Sequence, residues 1–357
     1  MRERRFAARR SATRLLSGTP AQTMRELLAE LAESGDLDRT PDFYGDGVVG
    51  GLEQRVADLL GKPAAAFFPT GTMAQQVALR LWATGSGVVA MHPLAHPEQH
   101  ERQAYSRLSG LHSVWPTTEP RLPTPAELRS VGEPFDVLML ELPLREAGFV
   151  LPSWAELTET VAAARELGVK VHFDGARLWE STRHFDRSLP EIAALADSVY
   201  VSFYKSLGGQ SGAVLAGDEA FVAAARTWRH RYGGNLFQQW PTALSALAGL
   251  DRELPRLDAY AAHAVAVARV LAAAPGGRVQ PAVPHTHQFQ FWLPYPPETL
   301  NEATLKLAEE TGDYLFHTWI PSALPGLSMT EITVAGPALE WTPEQITDSL
   351  TRFLALL

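Results

Sequence analysis

The sequence predicts an α/β protein, a mainly parallel sheet with helices on both faces, with a smaller α+β domain attached. Three observations lead there. From residue 64 onward, short apolar runs alternate with helical stretches. Most of those runs are apolar on both faces, as strands buried between two helical layers are. After about residue 240 the texture turns helical, with only two strand-like runs.

The chain opens on MRERRFAARRSATRLLSG, which is Arg-rich and lacks the apolar segment of a secretory leader. A transit peptide has a similar composition, but Arg is common throughout, and an N-terminal arm packed on the fold or on a partner subunit is the expectation. Thr19-Pro20 followed by AQTMRELLAELAES predicts a capped amphipathic helix. A Gly-rich loop, FYGDGVVGG, leads into the helix LEQRVADLLG, closed by Gly61. Predicted strands are AAAFFP, GVVAMH, DVLMLEL, KVHFD, SVYVSFY and GAVLAG. The helices between them include TMAQQVALRLWATG, SWAELTETVAAARELG and SLPEIAALA. Beyond residue 240 come a long helical stretch, the strand-like HQFQFWLP, the helix ETLNEATLKLAEETGDYLF, the strand SMTEITV and the helix PEQITDSLTRFLALL. The expected division is 1–40 as an arm and helix packing with the small domain, 41–250 as the large domain, and 251–357 as the small α+β domain.

Composition narrows the function classes. At 357 residues with 46% apolar side chains, the chain can bury a sizeable core and hold two domains. A net charge of −9 argues against a general nucleic-acid binder. The absence of cysteine excludes disulfides, thiolate zinc sites and a Cys nucleophile, and fits a reducing, cytoplasmic setting. No apolar stretch is long enough to span a bilayer.

In sheets of this kind, ligands bind at the carboxyl ends of the strands. AAAFFPTGTMAQQ ends a strand at Thr70-Gly71-Thr72 and enters a helix, a turn whose free N–H groups and helix dipole can cradle an anion. An ordinary strand-to-helix turn would look the same. KVHFDGARLWE places Asp174 directly after a strand, with Arg177 three residues on. The Asp could simply cap the next helix, or be a buried acid near a cofactor ring with Arg177 forking onto a substrate carboxylate. SVYVSFYKSLGGQSG places Lys205 just past a strand, with Ser202 before it. Only four of the chain's 31 basic side chains are lysines (Lys62, Lys170, Lys205, Lys306), so a retained amine here points to lysine chemistry. A desolvated amine is a nucleophile and can form a Schiff base, which Arg cannot; the competing reading is a lysine snorkelling from a strand end. His92, His96 and His100 recur every four residues, but Pro93 and Pro97 interrupt any helix that would align them on a metal. A single His over a cofactor ring, or a structural His, fits better.

Taken in order, these motifs resemble the threonine aldolase and β-eliminating lyase family, pyridoxal 5′-phosphate enzymes of the aspartate-aminotransferase fold (fold type I). FYGDGVVGGLEQRVADLLGKPAAAFFPTGTMAQQVAL is similar to the family's opening segment, DGARLWES to its ring-nitrogen motif, SFYKSLGGQSGAVLAG to its cofactor-lysine motif, and WRHRYGG to its Trp-Arg segment. The resemblance covers about residues 42–250. It implies that Lys205 bonds the cofactor, Asp174 pairs with the pyridinium nitrogen, and Gly71 and Thr72 hold the phosphate with Ser202 as a helper. His96, five residues before Glu101 as in the family, would stack on the ring and is the candidate base. Arg177 would hold the amino-acid carboxylate, and Tyr44 and Asp46 would lie near a partner subunit's site. It further implies a homodimer or homotetramer.

Departures from the family pattern fall at substrate-facing positions. SMTEITV carries Glu331 near the place of the family's second carboxylate arginine, where it is a candidate contact for a basic substrate group or a residue that packs in the small domain, the latter the favoured reading. Leu236-Phe237-Gln238 replaces Met-Arg-Gln after the glycine pair. ELPLREAGF replaces Leu-Glu-Asn-Thr-His, and no Ser-Asp-Thr stands near the N-terminus. The expected activity is retro-aldol cleavage of a β-hydroxy-α-amino acid to glycine and an aldehyde. The alternatives are the reverse transfer (a transaldolase), β-elimination or transamination, or a cofactor-binding protein without catalysis; retention of both Asp174 and Lys205 argues against the last.

Overall fold

The computed structural model describes every residue except Asp36 and Ala323. The chain forms two compact units, residues 30–255 and residues 1–29 together with 256–357.

Unit 30–255 is built on a seven-stranded sheet. Its strands are β1 (Ala64–Phe68), β2 (Val88–Ala90), β3 (His112–Val114), β4 (Val137–Glu141), β5 (Lys170–Asp174), β6 (Ser198–Ser202) and β7 (Ala213–Gly217). Their spatial order is β1-β7-β6-β5-β4-β2-β3. All neighbours are parallel except β7, which runs antiparallel to both β1 and β6. Every residue of β4, β6 and β7 is buried, as the doubly apolar runs predicted. Helices α1 (Gly47–Leu60), α2 (Gly71–Trp82), α3 (Trp154–Glu166), α4 (Glu219–Arg231) and α5 (Trp240–Glu253) accompany the sheet. Their ends follow local chemistry. Gly61 closes α1 in the left-handed conformation (φ 59°). Thr70 caps α2, and Ser153 with Glu156 forms a capping box on α3.

The other unit holds a four-stranded antiparallel sheet, ordered Ile320–Pro321, Ser328–Thr333, Gln288–Leu293, Arg278–Gln280. Phe291, Phe316, Trp319 and Phe353 form its buried aromatic core. The short strand Arg14–Leu15 pairs in parallel with Asp313–Tyr314, and Arg14 forks onto Asp313 at 2.8 and 2.7 Å. The opening residues Arg2–Ser11, expected as an arm, are a helix whose Arg4 reaches Glu302 and Glu309.

The predicted cap of the next helix needs correction. That helix runs Met24–Glu33, and its start is fixed by Thr23, whose N–H and hydroxyl both reach the Glu26 carboxylate, rather than by Thr19-Pro20. Thr23-Met-Arg-Glu26 satisfies the capping-box spacing, which Thr19-Pro20 does not.

Candidate active site

The site is assembled where β4, β5 and β6 end side by side. Parallel register places Glu141, the last residue of β4, opposite Asp174, the last of β5, and Asp174 opposite Tyr200 on β6. Asp174 is 1% exposed and accepts the Ala176 N–H at 3.2 Å. The turn after it is tight: a Cβ on Gly175 would lie 2.7 Å from the Tyr200 carbonyl oxygen, so only glycine fits.

Lys205 follows β6 by three residues. Burial first, and then the Arg177 guanidinium, lower its amine from the ordinary 10.5 to about 8, with Arg145 acting in the same sense. Asp174 and Glu141 pull the other way. An amine with that value is part neutral near pH 8, as a nucleophilic lysine must be. Arg177 lies with its guanidinium 5.2 Å from the Phe149 ring, and its Nε is buried without a hydrogen-bond partner. Ser202 is fully buried and donates its hydroxyl to the Ala176 carbonyl at 2.8 Å, so toward a ligand its oxygen could only accept.

At the far side of β7, the end of β1 leads into α2 through Thr70, Gly71 and Thr72. Gly71 packs on the Tyr200 hydroxyl, and a Cβ there would run into it. Thr72 is exposed at the helix start, where N–H groups are free to meet an anion. The strand end is held by a buried ion pair. Glu53 on α1 accepts the Phe67 N–H at 2.7 Å, and Arg229 on α4 donates to the Phe67 carbonyl at 2.6 Å and to Glu53 at 3.3 Å. Arg229 of the WRHRYGG motif therefore supports the strand end that leads to the turn.

His96 opens a short helix, His96–Gln99. Its Nδ1 lies 3.2 Å from Glu101, whose other oxygen accepts from Gln76 on α2 at 2.7 Å. Burial alone would lower the imidazole, but the Glu101 hydrogen bond and the Asp174 charge outweigh it, and His96 is raised above its ordinary value. The His96 and His100 rings are 5.2 Å apart, while His92 is turned to the Glu119 carbonyl. Among the described residues no cluster could hold a metal ion.

Tyr44 lies in a left-handed turn (φ 54°), 46% exposed, and its ring meets Phe43 and Phe237 edge-on at 5.0 and 5.5 Å. Asp46 accepts the Phe43 N–H at 2.6 Å. Glu331 belongs to the other unit, on Ser328–Thr333, paired in register with Gln290.

Sequence reasoning missed Glu141, Arg145, Tyr200 and Gln76. Glu141 carries a usable signal: it is the charged residue near the carboxyl end of the apolar run DVLMLEL, much as Asp174 ends KVHFD. Burial first, and Asp174 second, push its carboxyl up to about 7. Tyr200 reads as an ordinary apolar strand residue, and only register reveals it beside Asp174.

This architecture is that of the fold-type-I pyridoxal-phosphate enzymes; SPT bound to pyridoxal phosphate shares it with a TM-score of 0.69 at 19% identity, covering 96% of this chain and 86% of that one, a likeness of fold alone. Within that class the chain belongs to the β-eliminating lyase family, which matches residues 14–291. Two solved structures are similar over nearly their whole length. One, from Exiguobacterium sp. 255-15, is provisionally assigned as an aromatic amino acid β-eliminating lyase/threonine aldolase (34% identity, TM-score 0.91, 99% of this chain and 100% of that one). The other, from Listeria monocytogenes, is provisionally assigned as an L-allo-threonine aldolase (33%, TM-score 0.92, 99% of each chain). The low-specificity L-threonine aldolase of Candida albicans is 31% identical over 220 residues, 58% of each chain. The chain thus spans about three fifths of the length of the curated relatives it matches first.

Proposed function

We propose that the protein is a pyridoxal-phosphate-dependent lyase that cleaves the Cα–Cβ bond of a β-hydroxy-α-amino acid, giving glycine and an aldehyde. The observation that carries the proposal is the register that sets buried Asp174 and Glu141 side by side at adjacent strand ends, with Lys205 three residues past the next strand; burial and the Arg177 charge lower that amine in keeping with it. The residues fit the cofactor. Lys205 would supply the amine for its aldehyde, Asp174 a buried carboxylate for its ring nitrogen, and the Gly71-Thr72 helix start a cradle for its phosphate. The unpartnered Nε of Arg177 suits the substrate carboxylate. When bound, the cofactor supplies an electron sink for the pair left on Cα.

The side chains do the rest. Arg177 orients the substrate by its carboxylate. With Nδ1–H donated to Glu101, the Nε2 of His96 takes the β-hydroxyl proton as the Cα–Cβ bond breaks and the hydroxyl becomes the aldehyde carbonyl. A proton returned to Cα completes glycine. The names of the Listeria and Candida relatives support this reaction over the alternatives.

A second copy is the expected partner, in a homodimer or homotetramer. Phe43, Tyr44 and Phe237 form a three-ring cluster, 62, 46 and 55% exposed, which suits an intersubunit contact beside the site loop. The cytoplasmic setting is an expectation from the cysteine-free composition. The substrate role of Glu331 likewise remains a proposal from its place in the motif order.

The test is product analysis on the purified protein loaded with pyridoxal phosphate. A panel of β-hydroxy amino acids should release glycine and aldehyde in equal amounts. Ammonia with a keto acid would replace this reading with elimination.

A further inference from the structure

Glu141 lies among the site groups, yet the lyase reading gives it no role. It is 7% exposed, opposite Asp174, and both its oxygens are engaged by backbone N–H groups from two different loops. The His96 N–H donates to Oε2 at 2.7 Å and the Arg145 N–H to Oε1 at 3.1 Å. The first loop carries the imidazole braced by Glu101. The second carries a guanidinium whose charge reaches Lys205. Neither loop belongs to the sheet. A buried carboxylate is a costly way to satisfy two backbone donors unless its charge or its position is used.

We propose that Glu141 is a positioning residue of this site: from the end of β4 it pins the His96 turn and the Arg145 loop beside Lys205. Its carboxylate bridges three segments at one point, so removing it frees two backbone N–H groups and lets the imidazole and the guanidinium drift together. The titratable groups bearing on it are Asp174 on β5, Lys205 after β6, and His96 and Arg145 on the loops it holds. Burial and Asp174 keep its carboxyl near 7, while the two N–H groups and Lys205 favour the charged form. The sign follows. Above about pH 7 the charged form predominates, is the stronger acceptor, and holds both loops more tightly. The same charge helps retain the Lys205 proton.

The catalytic consequence rests on the lyase reading; the structural claim does not, so the decisive experiment uses the cofactor-free full chain. Backbone hydrogen exchange is followed in the segments containing His96 and Arg145 for wild type, Glu141→Gln and Glu141→Ala. Thermal unfolding confirms that each variant folds, and the near-isosteric Glu141→Gln carries the test if Glu141→Ala does not. Exchange at both segments should rise about tenfold in Glu141→Ala. Wild type should exchange more slowly above pH 7, and in Glu141→Gln that slowing should vanish, once the intrinsic rate is divided out. The pH midpoint for labelling Lys205 should also fall below the wild-type value, a change that loss of packing alone does not produce. Unchanged exchange at both segments in both variants, or an unmoved Lys205 midpoint, overturns the proposal. With the cofactor loaded, Glu141→Gln should lose about tenfold in kcat with the pH profile altered. If wild type itself lacks lyase activity, the lyase reading fails while the exchange result still decides the role of Glu141.

Discussion

Lys205 carries its chemistry through its surroundings. Partial burial and the Arg177 charge each disfavour the ammonium, and Asp174 and Glu141 restore only part of it. An amine-selective reagent applied to the cofactor-free protein should therefore label Lys205 with a midpoint near pH 8. A midpoint at the ordinary 10.5 would show that the burial and charges do not act as described. Arg177→Lys exchanges a planar fork for a point charge and should raise KM by about 10- to 100-fold, with a smaller effect on kcat; steady-state kinetics check this. On the proposed reaction, His96→Phe keeps a ring and removes the proposed proton acceptor, so kcat should fall by about 10²–10⁴-fold with binding of the cofactor retained. Most of these residues were legible because each breaks the local pattern: an acid ending an apolar strand, or a lysine in a chain that writes its cations as arginine. Glu141 breaks the pattern in the same way. It was obscured because the departure of ELPLREAGF from the family's motif drew attention to what the stretch lacks.

The elements are tied together by a buried polar chain that no single segment reveals. Trp82 on α2 donates to Ser198 at 2.7 Å; Ser198 and Gln75 flank His172 at 2.8 Å on either ring nitrogen. The helix that starts at the Thr70-Gly71-Thr72 turn is thereby fastened to the strand that ends in Asp174. Burial lowers His172 from 6.5 to about 4, against the smaller opposing effects of Asp174 and Ser198. The sign is that of a group kept neutral in the folded state: its contribution is full above 6.5 and is lost as pH falls toward 4, by about 3 kcal/mol. Denaturant unfolding should show stability dropping across that window, and His172→Gln should flatten the drop. If the slope is unchanged, His172 is not the neutral link. The strands themselves were legible from runs apolar on both faces. Their register was not, since pairing between segments thirty residues apart leaves no local trace, and with it Tyr200 beside Asp174 stayed hidden.

At the scale of the molecule, the first 29 residues belong with residues 256–357, although most of the chain separates them. The Arg14–Asp313 fork, with Asp313 2% exposed, is one tie between them. Asp313→Ala should destabilise that unit by about 1 kcal/mol in urea, since the part-exposed Arg14 loses its fork but can turn to water. A two-residue strand at Arg14–Leu15 is too short to show in any periodicity. Glu331 lies in that unit. The central claim concerns the other unit, where three parallel strand ends converge on one amine. Its most direct measurement is to load the protein with pyridoxal phosphate, reduce with borohydride and map the modified residue by mass spectrometry. The account predicts a yellow protein fixed at Lys205, with fixation abolished in Lys205→Ala. A colourless protein unmodified at Lys205 would contradict it.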